Sequence, residues 1–384
     1  MIKRNRCTGI TDVEKNDMIS LWRALVDIDS GSENKAGVDA VGKKIEEFLR
    51  QQDICVRYEV CQTRGNVLVA EYGDMTKPFI IFLGHMDTVF SDGTVKKRPF
   101  RIEKNKVYGP GVLDMKGGIV IALFVMKKLK EQGYRRFPIK LILAGDEEIA
   151  HQGSDTVTCI RKECNGAAVA FNFETGFMDH SIVTARKGTF RAVFEVYGKG
   201  AHAGNNPQDG CSAIKEMAYK ILELENLNDF KTGNTVNVGV ITGGTVANAI
   251  PEQCNIIVDM RFINETYKNE YMNKFKKIAE TVHIPGTKTI ITFPIIFDAM
   301  NDIDETKQLF DQVQTILYRQ GFPTITAKKA GGGSDSAHTT AMGIPTLCAM
   351  GVQGTGNHTV EETADLESLF MRTHMMLTII KNLK

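Results

Sequence analysis

Leu141-Ile-Leu-Ala-Gly-Asp-Glu-Glu148 is an apolar run that ends in three consecutive acids. Residues 140–144 have the length and apolarity of a strand buried on both faces, as in a parallel sheet. Asp146, Glu147 and Glu148 then stand at its carboxyl end, where open α/β sheets build their sites. Three adjacent carboxylates repel one another, so at a buried sheet edge they require something positive, and a metal ion is the first candidate. Taken alone, the stretch also reads as a solvated acidic turn, and the rest of the chain has to decide.

The flanking sequence favours the strand. Helical spacing of Met18, Leu21, Trp22, Leu25 and Ile28 predicts an amphipathic helix over 12–28. Val38, Val41, Ile45, Phe48 and Leu49 mark a second helix after the turn and N-cap signal at 30–34. Strands are expected at 55–61, 66–71 and 79–83, then a heavily apolar helix at 118–132 that leads through Pro138 into the acid-tipped strand. A helix at about 153–163 and a short strand at 167–171 follow. Strand-helix-strand alternation of this kind argues an α/β sheet.

The rhythm then changes. A strand at 190–197, a helix at 211–225, strands at 235–241 and 255–262, a helix at 267–282 and a strand at 289–293 run β-α-β-β-α-β, the split βαβ order of a small ferredoxin-like α+β domain. It reads as an insert. A helix at 306–320, strands at 324–328 and 344–349 and a helix at 366–381 restore the alternation. The expected organisation is one α/β domain from 1–186 and 298–384, interrupted by the insert at 187–297.

Length and charge narrow the function. A chain of 384 residues exceeds one ordinary core, and its 42% hydrophobic and 24% charged content is that of a soluble globular enzyme. With 47 basic against 46 acidic side chains, the net charge of +1 supplies no electrostatic footprint for nucleic acid or an anionic membrane. Met1 to Arg6 is basic, but 7–17 contains no apolar segment suited to a signal peptide, and no window approaches the length of a membrane span. Eight cysteines, at 7, 55, 61, 159, 164, 211, 254 and 348, form no C-x-x-C pair. A reduced, cytoplasmic thiol set is the simpler reading.

Other strand ends repeat the logic of the opening stretch. Phe79-Ile-Ile-Phe-Leu-Gly-His85-Met-Asp87 delivers an imidazole with an acid two residues on, so Asp87 can hold His85 in one tautomer. Tyr108-Gly-Pro-Gly-Val-Leu-Asp114 sets an acid in a tight turn before a helix, where it could also be a cap. Glu174 ends the next strand, and His358 follows Gly354-Thr-Gly-Asn in a late loop. Together His85, Asp114, Glu148, Glu174 and His358 are two imidazoles and three carboxylates that one sheet could converge. Mixed N/O ligation without thiolate suits zinc, or cobalt or manganese, better than an iron-sulfur centre. Five ligands with one acid left over is a two-metal arrangement with a shared carboxylate.

At these residues the chain resembles a known family. Gly84-His-Met-Asp-Thr-Val, Tyr108-Gly-Pro-Gly-Val-Leu-Asp-Met-Lys-Gly-Gly, Gly145-Asp-Glu-Glu, Gly200-Ala-His-Ala-Gly and Gly356-Asn-His are similar, in this order, to the motifs of a zinc metallopeptidase family. That family contains glutamate carboxypeptidase, aminoacylase, acetylornithine deacetylase and succinyl-diaminopimelate desuccinylase. The resemblance implies a zinc-exopeptidase-like catalytic domain with an inserted lid and dimerisation domain. It implies one zinc on His85 and Glu174, a second on Glu148 and His358, Asp114 bridging both, and a cis peptide bond after Asp114. It further implies Glu147 as general base, Asp87 orienting His85, His202 reaching the partner subunit's site in a homodimer, and Asn248 and Arg261 binding a substrate carboxylate.

The nearest look is to the glutamate carboxypeptidase branch, through Tyr-Gly-Pro-Gly and Phe173-Glu-Thr-Gly. An arginine that some members carry on the return from the lid is absent, since no Arg stands between Arg261 and Arg319. The expected activity is hydrolysis of an amide next to a free carboxylate in a small peptide or an N-acyl amino acid. A biosynthetic deacetylase or desuccinylase on the same scaffold, a catalytically inactive metal-binding or interaction protein, and a two-metal phosphate-ester hydrolase are the rivals. The last would want basic groups by the ligands, and only Lys116 lies close in sequence.

Overall fold

The structure is a computed structural model that describes residues 9–384; the basic Met1 to Arg6 stretch and Cys7 lie outside the described residues. The chain divides into two compact units. One comprises the described residues up to Ala185 together with Asp302–Lys329 and Ser334–Lys384, and the other comprises Arg186–Asn301 and Ala330–Gly333.

The first unit is a six-stranded mixed sheet between helices. Its strands are β1 (Cys55–Glu59), β2 (Val67–Tyr72), β3 (Phe79–His85), β4 (Ile139–Ala144), β5 (Ala167–Asn172) and β6 (Thr346–Leu347), in the order β1-β2-β4-β3-β5-β6. β2 runs antiparallel to β1 and β4, while β4, β3, β5 and β6 are mutually parallel. Every residue of β3 and β4 is buried, which is why both read as mainly apolar runs; the exception within β4, Lys140, pairs with Glu71 and Glu163 at 3.2 and 3.0 Å. Their alternate side chains serve opposite faces. Ile80, Phe82, Leu141 and Leu143 join the core of α1 (Asp12–Val26), α2 (Lys35–Gln51), α3 (Gly117–Glu131), α5 (Asp304–Arg319) and α6 (Leu366–Asn382). Ile81, Leu83 and Ile142 pack with Ile160 and Cys164 of α4 (Thr156–Cys164).

Three sequence expectations change. The strand at 344–349 shrinks to the two residues of β6, and the one at 324–328 becomes Ala327–Ala330, outside this sheet. The helix expected from about 153 starts at Thr156, because Glu147–Ile149 forms a 3-10 turn and Ala150 and His151 follow with φ +54° and +57°. A second, four-stranded sheet was not foreseen. It joins Gly354–Thr355, Thr363–Asp365, Lys106–Tyr108 and Arg101–Glu103 in that order, each strand too short to leave a periodic signal.

The second unit has the β-α-β-β-α-β order read from the sequence. Its antiparallel sheet runs Thr235–Gly243, Gln253–Phe262, Gly188–Tyr197, Lys288–Phe297, and the helices are Ala213–Glu225 and Glu265–Glu280. Phe190, Phe194, Phe262 and Phe275 form its core. A buried pair pins the far end: Lys220 lies 3.0 Å from Glu216 and donates to the carbonyls of Ile278, Ala279 and Thr281, while Glu216 accepts from the amides of His283 and Ile284. The sheet also carries exposed apolar side chains, among them Val240, Ile241, Ile257 and Ile290.

Candidate metal centre

Register brings three chemistry-bearing strand ends side by side. His85 of β3 pairs with Ala144 of β4, directly before Gly145-Asp-Glu-Glu, and Leu83 pairs with Asn172 of β5, directly before Phe173-Glu174. Gly84 leaves room beneath them for the end of the Met115 side chain, which a methyl at that position would meet at 2.4 Å and displace. His85 is 1% exposed, with Nε2 3.3 Å from Asp114 Oδ1 and 3.6 Å from Glu174 Oε1.

The unforeseen four-stranded sheet delivers the other two ligand candidates. Lys106–Tyr108 runs into the turn that carries Asp114, and Gly354–Thr355 with Thr363–Asp365 form a hairpin whose loop carries His358. Pairing between the two joins those loops, so His358 Nε2 stands 3.3 Å from Asp114 Oδ2 and 3.2 Å from Glu148 Oε2. Asn357 Nδ2 donates to Asp114 Oδ2 at 2.9 Å. Gly111, at φ +73°, turns the chain so that Glu362 accepts the amides of Gly111, Leu113 and Asp114. Burial pushes Glu362 up to about 7 despite those three donors. The Asp114-Met115 bond is cis, as the resemblance implies.

Two sets of side chains therefore have ligand atoms within mutual reach: His85, Asp114 and Glu174, and Asp114, Glu148 and His358. Asp114 belongs to both. The polar chemistry fits cations in this place. Among the described residues Glu148 Oε1 is buried without a hydrogen-bond partner and Asp114 Oδ1 has only the His85 ring, at 3.3 Å, a costly state for carboxylate oxygens unless an ion satisfies them. Hard and borderline divalent ions take just such N/O sets.

Electrostatics distinguishes the acids. Glu147, 9% exposed, belongs to neither set; burial first, then the charges of Glu174 and Glu148, push it well above the ordinary carboxylate range against the pull of His85. Burial also raises Glu148, with Asp114 adding to it and His358 opposing. Asp114 goes the other way: burial would raise it, but hydrogen bonds from His358 and His85 hold it low. His358, flanked by Asp114 and Glu148, is raised to about 11.

Asp87 does more than the sequence suggested. Its backbone carbonyl lies 3.0 Å from His85 Nδ1, with carboxylate Oδ1 farther at 3.4 Å. The carboxylate itself accepts the amides of Glu147 and Glu148, both at 3.1 Å, and the hydroxyl of Ser32 at 2.7 Å. Asp87 thus couples the His85 strand end to the acidic turn. Lys116, buried, donates to Ile28 O at 2.9 Å, and burial pulls it down to about 7. A cavity of about 450 Å³ opens beside Glu148, lined by Ser32, Glu33, Asn34, Phe90 and Asp92 among others.

The remaining expected residues belong to the second unit. His202 is exposed, and its Nδ1 accepts the amides of Gly204 and Asn205 at 3.1 Å, which leaves the ring proton on Nε2. Asn248 is beside it in the backbone: Ala203 donates to Asn248 O at 2.9 Å, and His202 bridges to Ala249. Arg261 is engaged by its neighbour, with Nε 2.7 Å and Nη2 3.1 Å from the two oxygens of Asp259. A third set of close ligand atoms is His151, Asp335 and His338; in the sequence Asp335 and His338 stand three apart, but no spacing connects them with His151.

Comparison with known proteins agrees with this architecture. Carboxypeptidase G2 of Pseudomonas sp. (strain RS-16) is 27% identical over 375 residues, 96% of this chain and 90% of that one. Aminopeptidase PepT of Bacillus cereus superposes with a TM-score of 0.80 at 20% identity, covering 96% of this chain and 98% of that one. The YXEP protein of Bacillus subtilis, a dinuclear metal binding peptidase from the M20 family, superposes with a TM-score of 0.70 at 18% identity over 97% and 99% of the two chains. The model of peptidase family M20/M25/M40 matches residues 81–382, a span that contains all five ligand candidates, and the chain belongs to that family.

Proposed function

We propose that this M20-family hydrolase is a dinuclear zinc enzyme that cleaves an amide next to a free carboxylate, as a carboxypeptidase or an N-acyl amino acid deacylase. One observation carries the reading: Asp114 is common to two ligand sets, and the buried Glu147 stands beside both while belonging to neither. His85 and Glu174 would hold one ion, Glu148 and His358 the other, and Asp114 both; cobalt or manganese would suit the same donors. Bound there, the ions supply a lowered proton affinity for water and polarisation of the amide carbonyl.

The protein's own groups do the rest. Glu147 accepts a proton from the attacking water and returns it to the leaving nitrogen as the C–N bond breaks, and its raised proton affinity suits it to hold that proton between the two steps. His202, with its proton on Nε2, is a donor for the developing oxyanion of a second copy's substrate in a dimer. Asn248 and Arg261 take the carboxylate; Arg261 exchanges Asp259 for it, one planar fork for another. The same reading places the enzyme in the cytoplasm, where the free thiols of the described cysteines would stay reduced.

An acyl group entering the cavity beside Glu148 would meet a lining that disfavours the desuccinylase alternative. The charged residues of that lining are Glu33, Asp92 and Glu148, with no Lys or Arg, so an acyl group bearing a second carboxylate is poorly matched there. The phosphate-ester alternative is poorly served, because Lys116 is buried with its ammonium on Ile28 O. The test is a panel of dipeptides and N-acyl amino acids with the zinc-loaded protein, each paired with its C-terminal amide and read as free amine released. Turnover is expected only with the free carboxylate; equal turnover of the amidated partners would remove the reading.

A further inference from the structure

The acidic turn is held from behind as well as by Asp87. After Glu147–Ile149 the chain passes through two successive non-glycine residues in the left-handed region, Ala150 and His151, a conformation that L side chains rarely adopt without external support. The support is on the His151 ring. Its Nδ1 lies 2.8 Å from Asp146 Oδ1 and its Nε2 2.7 Å from Asp335 Oδ1, all three side chains being buried. A carboxylate oxygen accepts, so each ring nitrogen donates, and the ring that satisfies both acids is an imidazolium.

The two acids come from separate parts of the first unit. Asp146 directly precedes the proposed base and also accepts from Ser154 Oγ, while Asp335 leads into the short helix Ser336–Thr340, with His338 Nε2 at 3.7 Å. Backbone bonds close the same loop: the amide of Ala150 donates to Glu147 O at 2.8 Å and that of His151 to Asp146 O at 3.0 Å. Any shift of the ring is therefore transmitted to the backbone of Glu147 and Glu148, whose amides Asp87 holds on the other side.

We propose that His151 is the positioning residue of the acidic turn, an imidazolium pinned between Asp146 and Asp335 that sets the directions of Glu147 and Glu148. This rests on reading Glu147 as the base and Glu148 as a ligand. The test is His151→Asn, chosen because Asn tolerates the left-handed backbone and keeps one donor, so that only the bridge is removed. Three readouts are taken: the ring-nitrogen spectrum of ¹⁵N-histidine-labelled protein, zinc affinity by competition with a chromophoric chelator, and kcat separately from KM.

The expected result is a His151 ring with protons on both nitrogens in the native protein, and in the variant a zinc affinity or kcat lower by about 10- to 100-fold, the scale of groups that orient metal ligands, with KM unchanged. A ring with one bare nitrogen, or a variant with native affinity and kcat, overturns it. Should His151→Asn fail to fold, Asp335→Asn keeps the shape and an acceptor while removing the charge, and is expected to lower the same two quantities; native values there overturn the proposal equally. Glu147→Gln assayed alongside separates the two ideas. If that variant is fully active the function reading falls, whereas the ring spectrum and zinc affinity still report on His151.

Discussion

At the scale of single residues, Glu147 and His358 make opposite demands. Glu147 is raised by burial and by its acidic neighbours, and it is no ligand candidate, so Glu147→Gln should lower kcat by at least about 100-fold, the lower end for a positioned acid or base, while zinc content stays at the native value. Loss of metal as the primary defect would count against the assignment. His358 is raised to about 11 by Asp114 and Glu148, and His85 is raised as well, burial opposing and Asp114 and Asp87 prevailing. In the metal-free protein both rings are thereby drawn toward the protonated form, so that a cation has protons to displace. Apparent zinc affinity should rise with pH between about 6 and 8, by about tenfold per unit for each proton displaced. Calorimetric titration in two buffers of different ionisation enthalpy measures the release directly, and a proton count of zero would contradict it.

At the scale of elements, the hairpin around His358 and the turn around Asp114 act as one piece. Glu362 accepts three amides from that turn, so Glu362→Ala leaves Gly111, Leu113 and Asp114 donors without their acceptor, at a cost of about 1 to 3 kcal/mol for each that stays buried. Chemical denaturation should show the lost stability and zinc titration a weakened site; a native zinc affinity would mean that the turn does not need the hairpin. In the second unit, Lys220→Ala strands Glu216 and three helix-end carbonyls, and is expected to cost about 3 to 5 kcal/mol in denaturant unfolding. Because that pair lies far in sequence from every ligand candidate, zinc affinity should be unchanged in the same variant.

At the scale of the whole molecule, the second unit's sheet exposes the apolar side chains of Val240, Ile241, Ile257 and Ile290, which a second copy would cover in the proposed homodimer. If His202 serves the partner's site, His202→Ala and Glu147→Gln proteins, each inactive alone, should regain activity when their subunits exchange. A mixture that stays inactive despite demonstrated exchange would return His202 to its own subunit or to no catalytic role. No helix among the described residues is long and apolar enough to cross a membrane, in line with the reading of the sequence.

The sequence by itself determined the strands that carry the centre, because β3 and β4 are buried on both faces and a mainly apolar run is what such burial demands. It likewise determined the split βαβ order of the insert and, through ordered motifs, the candidates at strand ends. It could not determine the short pairings. Gly354–Thr355, Thr363–Asp365 and Lys106–Tyr108 have no periodicity, and only their mutual hydrogen bonds bring His358 to Asp114. Nor could it connect His151 with Asp335, 184 residues apart, or turn Asp87 toward the amides of Glu147 and Glu148. Local pattern encodes which faces have to leave water, because the spacing of apolar side chains along a strand or helix is set by neighbours in the chain. Which carboxylate meets which donor is decided where loops from distant elements converge, and that convergence exists only in the folded chain.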